Sequence, residues 1–193
     1  MSESLKKIES KDRTVWITQP NETEMLLKRR EIAFNVAKGK LVDSNGNIET
    51  VMQTAEAFGR GLFEDYLKKD SNDWSMDSWV KPMVENVFNP MGTGATFTKI
   101  TEDEAKSLIF RCLLHENSGE PQMASLFTYG FLRGMLVSAF PDGELLMGSS
   151  MAHGAPMIEF IFKADATGDD RIERERVKKL FTNVSENLMK QND

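Results

Sequence analysis

The stretch from Met123 to Ala139 constrains this chain most, because its apolar residues lie almost all round a helical wheel and leave no polar face for water. A helix of that kind must be enclosed, so the rest of the chain has to supply a sheet and further helices around it. With 193 residues, one domain can bury enough apolar surface to do so without covalent staples. Pro141 stops the segment. Gly130 and Gly134, one turn apart, strip side chains from a single stripe, so that a neighbouring backbone or a bound molecule can approach closely.

Residues 1–20 read as a flexible tail, since Ser, Lys, Glu and Asp dominate Met1 to Arg13 and only Leu5 and Ile8 offer apolar anchors. Asn21 or Thr23 then caps a helix running to about Lys38, and Asp43 to Asn47 is a turn by composition. Val51, Ala55, Phe58, Leu62 and Tyr66 recur at helical spacing up to Lys69. A shorter helix between Asp73 and Val87 carries Trp74 and Trp79 and must accommodate Pro82.

From Ala95 the period changes. Phe97 begins one strand, and Leu108, Phe110, Cys112 and Leu114 alternate with Ile109, Arg111, Leu113 and His115 in a second. Glu144 to Ala152 and Met157 to Lys163 are two more, joined by the turn His153, Gly154, Ala155, Pro156. Ile158, Phe160 and Phe162 face one side and Glu159 and Lys163 the other, the alternation of a sheet covered on one face. After a loop from Asp165 to Asp170, the residues Ile172, Val177, Leu180, Phe181, Val184 and Leu188 form an amphipathic helix. The expected architecture is α+β, an antiparallel sheet of about four strands covered by helices, with N-terminal helices and a C-terminal amphipathic helix. One domain spans 21–193, with its core over 50–163 and the last helix over 170–190.

A net charge of -6 repels a duplex nucleic acid unless basic residues gather on one face. Lys28, Arg29 and Arg30 are flanked by Glu22, Glu24 and Glu31, so no nucleic-acid partner is expected. Cys112 is the only cysteine, which excludes an intrachain disulfide and, with no secretory signal, implies a cytoplasmic protein. The longest apolar stretches are interrupted by arginines, so no membrane span is expected.

One cysteine and two separated histidines do not make a metal site, and no cofactor is expected. Cys112 reads as a small core residue, and His115 as the solvated end of its strand. His153, in a glycine-flanked turn, can bond a ligand or a carboxylate, or simply backbone and water. Gly148, Ser149 and Ser150 lack the geometry of a nucleophile elbow. Gly92, Thr93 and Gly94 precede a strand, the wrong order for a phosphate cradle, and the loop from Asp165 lacks calcium-ligand spacing. The glycine-bearing helix also carries Phe127, Phe131 and Arg133. Either it is closely packed, or it borders an apolar cavity with one cationic head group. Phe127, Phe131, Arg133, Met151 and His153 are the candidate lining residues of a pocket between that helix and the sheet.

Phe127, Gly130, Phe131 and Gly134 on a helix, followed by a strand and then His153 to Phe160, resemble the vinyl-4-reductase domain family. Gly154, Pro156 and Phe160 stand at matching positions of the family's hairpin, and Phe58, Gly59, Gly61 and Leu62 are similar to its opening helix, so the likeness covers roughly 50–163. Ser150 and Ile158 stand where cysteines are common and Ala155 where Asp is common, so no metal or thiol function carries over. The resemblance implies a twisted antiparallel sheet under helices, a fold shared with TRAPP vesicle-tethering subunits and haem-based nitric oxide sensor domains. It also implies a homodimer and a small-molecule or hydrocarbon-binding role, of which methanogenic archaea carry sensory or output versions. Haem itself is not expected, because neither histidine is placed on a helix. The resulting expectation is a non-catalytic binding or regulatory domain for a small apolar molecule. The alternatives are an assembly protein without ligand and an enzyme on a small organic substrate.

Overall fold

A computed structural model describes residues 5–10, 13–18, 31, 35–40, 43, 47–67, 74–117, 121–166 and 170–191. Its six strands form one antiparallel sheet. They are β1 (Leu5–Ser10), β2 (Arg13–Thr18), β3 (Gly94–Ile100), β4 (Glu104–Arg111), β5 (Glu144–Met147) and β6 (Ile158–Lys163), ordered β1-β2-β3-β4-β6-β5. The α+β class, with helices packed on an antiparallel sheet, is as expected.

The first two strands correct the expected tail. β1 and β2 form a hairpin paired from Leu5↔Thr18 to Ser10↔Arg13, and β2 joins β3 through Trp16↔Phe97 and Ile17↔Thr96. Thr14 to Thr18 is a run of β-branched and aromatic residues, and the open edge of β3 gives its backbone a ladder to complete. The sheet therefore holds two strands more than expected. Residues 35–40 are helical, but most of the helix expected up to Lys38 and most of the turn at Asp43 lie outside the described residues.

The first long helix, α1 (Ile48–Tyr66), begins where the Asn47 side chain accepts from the Thr50 N–H at 3.0 Å, satisfying an orphan donor of its first turn. The next, α2 (Met76–Met83), starts with a reciprocal cap. Ser75 Oγ accepts from the Ser78 N–H at 3.3 Å, and Ser78 Oγ accepts from the Ser75 N–H at 3.0 Å. Pro82 sits inside it and has no N–H to offer. The helix then widens into a π-turn over Val84–Phe88, where the Asn89 N–H reaches back to the Val84 carbonyl. Gly92, at φ 68°, ends this run in the left-handed conformation that glycine adopts without strain.

β4 starts and ends earlier than its apolar alternation suggests. At its start, Thr101 Oγ1 accepts from the Glu104 N–H at 2.9 Å, fixing the turn. At its end, the Glu116 N–H donates to the Cys112 carbonyl at 3.0 Å, closing the short helix α3 (Leu113–Asn117). His115 is therefore on a helix and not at a strand end, which corrects the expectation that neither histidine lies on a helix. β5 likewise stops at Met147. The expected strand gives way to a 3₁₀ turn over Met151–His153, closed by His153 N–H to the Ser150 carbonyl at 3.0 Å.

The enclosed helix is α4 (Pro121–Ala139), with Met123 to Leu132 and Gly134 to Leu136 all buried. One side meets β5 of the sheet and the other faces α1. Against α1 the approach is backbone to backbone. A Cβ on Gly134 would fall inside the Glu56 carbonyl oxygen, one on Gly59 inside the Phe131 carbonyl oxygen, and one on Gly130 within 2.7 Å of Ala55 Cβ. The glycine stripe is thus used for close helix packing. The inward sheet face contributes Phe97, Ser107, Phe160 and Phe162, over which Trp79 packs. The last helix, α5 (Asp170–Gln191), adds the fully buried Val177 and Phe181.

Candidate functional site

A small, partly open apolar cavity lies between α4, α3 and the end of β4. Its walls are Ile109 and Cys112 at the end of β4, Leu114 on α3, Phe127, Thr128 and Phe131 on α4, Met91 and Thr93 ahead of β3, and Ala37 from the helical residues 35–40. Phe127 and Phe131 are four residues apart on one helix face, so both rings reach the same space. Phe58 of α1 backs them, its ring centroid 5.8 Å from that of Phe127 and 6.4 Å from that of Phe131. The free volume is about 20 Å³. That is room for about one water, so a larger occupant must part the side chains.

Cys112 points into this place, its Sγ 3.6 Å from Thr128 Oγ1. Burial raises its thiol pKa above the ordinary value, because the thiolate would lose its hydration. Thr128 turns its own hydroxyl to the Ala124 carbonyl at 2.8 Å, so it is already satisfied along the helix. The folded chain is expected to alkylate at Cys112 at least about tenfold more slowly at pH 8 than the urea-unfolded chain. The folded thiol holds its proton above the pH at which the unfolded one loses it. The Cys112 contribution to stability should therefore be constant below about pH 8 and fall as pH rises through the unfolded thiol range, which urea titrations at pH 7, 9 and 10 will show.

His115, beside this wall on α3, is half-buried, and its Nε2 has no hydrogen-bond partner among the described residues. Desolvation lowers its pKa, opposed by the nearby Glu116 carboxylate.

Of the five residues singled out from sequence, Phe127 and Phe131 line the cavity, whereas Arg133, Met151 and His153 are absent from its walls. Arg133 points to α1, its Nη1 3.0 Å from Glu56 Oε2, and the other oxygen of Glu56 lies 3.1 Å from Arg174 Nη2 on α5. This ion cluster ties three helices together, with Arg133 and Glu56 side chains only 11% and 13% exposed. His153 is exposed and lays its ring against Phe181 of α5, centroids 5.3 Å apart, and Met151 is half-buried in the same 3₁₀ turn. The lining residues that sequence reasoning missed are Thr128 on α4 itself and, from elsewhere in the chain, Ala37, Met91, Thr93, Ile109, Cys112 and Leu114. The latter come from segments that no local pattern joins.

A second, wider hollow is bordered by Glu102, Asp103, Asp142 and Asp165 with Trp74 and Phe140, and it is open to solvent. Among the described residues no group of His, Cys, Asp and Glu is arranged to hold a metal ion, and no helix is long and apolar enough to cross a membrane.

No family model matches the chain, and no curated protein matches it. Among solved structures, it is similar to trafficking protein particle complex subunit 3 from Naegleria fowleri, a crystal structure in which that protein is covalently bound to palmitic acid. The identity is 12% and the TM-score 0.49, over 71% of this chain and 95% of the other. A likeness at that level carries no argument about function.

Proposed function

We propose that this chain is a binding domain for a small, uncharged, apolar molecule held where α4 meets the end of the sheet. The observation that carries the reading is the lining. Met91, Ile109, Leu114, Phe127 and Phe131 converge from separate segments on one place, where two threonine hydroxyls and a thiol are the only polar side-chain groups among the described residues. Among the described residues no charged side chain is in the walls, and the nearby Arg133 is engaged by Glu56. An ionised head group drawn into this space would be buried without a counter-charge, so the occupant is neutral. The unbranched Met91 thioether and the phenyl rings are side chains that can shift to widen a cavity this small.

A regulatory role, a homodimer and membership of the vinyl-4-reductase family belong to the same proposal, supported by the sequence pattern of Phe58, Gly59, Gly130, Gly134 and Gly154. A second reading, an assembly protein without ligand, is favoured by three exposed apolar side chains among the described residues, Val36 at 43%, Phe110 at 53% and Ile172 at 69%. Native mass spectrometry, compared with the same sample after denaturation, separates the two. The binding reading expects excess mass that disappears on denaturation. A bare oligomer, with no neutral compound raising its melting temperature, would favour the assembly reading.

A further inference from the structure

The free edge of the sheet at β5 is closed by two side chains of α5. Gly148 donates its N–H to the Glu159 carbonyl at 2.9 Å, so by antiparallel alternation Met147, one residue earlier, turns its own N–H and C=O away from β6. There the Met147 N–H donates to Glu173 Oε1 at 3.0 Å, and the Met147 carbonyl accepts from Arg176 Nη2. Glu173 and Arg176 lie one turn apart on α5 and are themselves locked as a fork, Nε to Oε2 at 2.6 Å and Nη2 to Oε1 at 2.7 Å. Together they present one acceptor and one donor side by side, which is what the backbone of a neighbouring strand would offer Met147. Glu173 is only 7% exposed, and its place beside the edge is held by the buried Val177 and Phe181 farther along the helix. The burial of a carboxylate at this position goes beyond what a solvated i,i+3 pair on a helix surface requires.

We propose that Glu173 and Arg176 form a strand-mimicking latch that closes the β5 edge and keeps this chain from extending its sheet with a second copy. A second copy is the occupant the geometry selects. An edge strand meets its own copy about a two-fold axis with the antiparallel polarity that β5 already uses with β6, so Met147 of each chain can exchange both hydrogen bonds. Without the latch, the Met147 N–H and C=O are left beneath α5 with no partner. They regain one only if the helix lifts and the edge meets water or another strand.

The test uses the full chain carrying Glu173→Leu with Arg176→Met, and reads two quantities, the hydrogen exchange of the Met147 amide and the association state by sedimentation. The latch predicts exchange at Met147 faster by at least about tenfold. It also predicts a step up in association beyond the native chain's own state at the same concentration. Should the double variant not fold, Arg176→Lys keeps the charge but loses the fork, and is expected to keep its circular dichroism while Met147 exchanges several-fold faster. Unchanged Met147 exchange in either folded variant overturns the proposal, as does faster exchange in the double variant with no rise in association.

Discussion

Gly134→Val is expected to lower the unfolding free energy by about 3 kcal/mol or more. The distance between α1 and α4 sets this cost. A Cβ at this position would lie inside the carbonyl oxygen of Glu56, and a backbone oxygen cannot rotate aside as a flexible side chain can. Gaining a side chain in a helix ordinarily favours the fold, by about 1 kcal/mol when glycine becomes alanine, but here that term is outweighed by prising α1 from α4. Separation also strains the ion cluster, since Glu56 is the residue pushed and its carboxylate holds both Arg133 and Arg174. Gly61 supplies the control on the same α1 helix. Nothing lies within 4 Å of a Cβ built there, so Gly61→Ala should stabilise by about 0.5–1 kcal/mol. Urea unfolding of the two variants beside the native chain reads both signs at once.

Trp79→Ala should cost about 4 kcal/mol. The indole is fully buried on the inward face of the sheet, 5.5 Å from Phe162 and 6.0 Å from Phe140 by ring centroids. Phe162 continues to Phe97 at 6.2 Å, and Phe97 to Phe88 at 6.0 Å, so truncation opens a void at one end of an aromatic chain that the surrounding backbone cannot close. The indole Nε1 has no acceptor among the described residues. Trp79→Phe therefore removes volume without stranding a hydrogen-bond partner, and should cost only about 1–2 kcal/mol. Thermal and urea unfolding of the pair distinguish this void from a lost polar contact. Equal losses for both variants would mean that the indole nitrogen matters after all.

The helices with a steady period were legible because burial imposes that period. Val51, Ala55, Phe58 and Leu62 repeat along α1, and α4 is apolar all round because it is covered on both sides. The alternation of Ile158, Phe160 and Phe162 likewise marked β6 and its covered face. The β1–β2 hairpin was obscured by its Lys, Glu and Ser content, although Val15, Trp16 and Ile17 are strand formers. What decides that segment is the open edge of β3, which is not a local property. The end of β4 was misplaced because Leu108 to Leu114 is apolar apart from Arg111. Alternation cannot show where such a run leaves a sheet, and the turn closed by Glu116 on Cys112 settles it. For the site, Phe127 and Phe131 followed from helical spacing, whereas the engagement of Arg133 depends on Glu56, far away in sequence and adjacent only after α1 and α4 pack.

A neutral apolar molecule is proposed to occupy the cavity bordered by Phe127, Phe131, Ile109 and Leu114. The most direct test is titration of the delipidated chain with a neutral apolar fluorophore such as N-phenyl-1-naphthylamine, beside Leu114→Phe. Leu114 is only 6% exposed and borders the cavity, so the larger ring fills the space at a stability cost of about 1–3 kcal/mol. Saturable binding to the native chain, lost in a folded Leu114→Phe variant, is the predicted result. No saturable binding to the native chain, or equal binding to both, would contradict it.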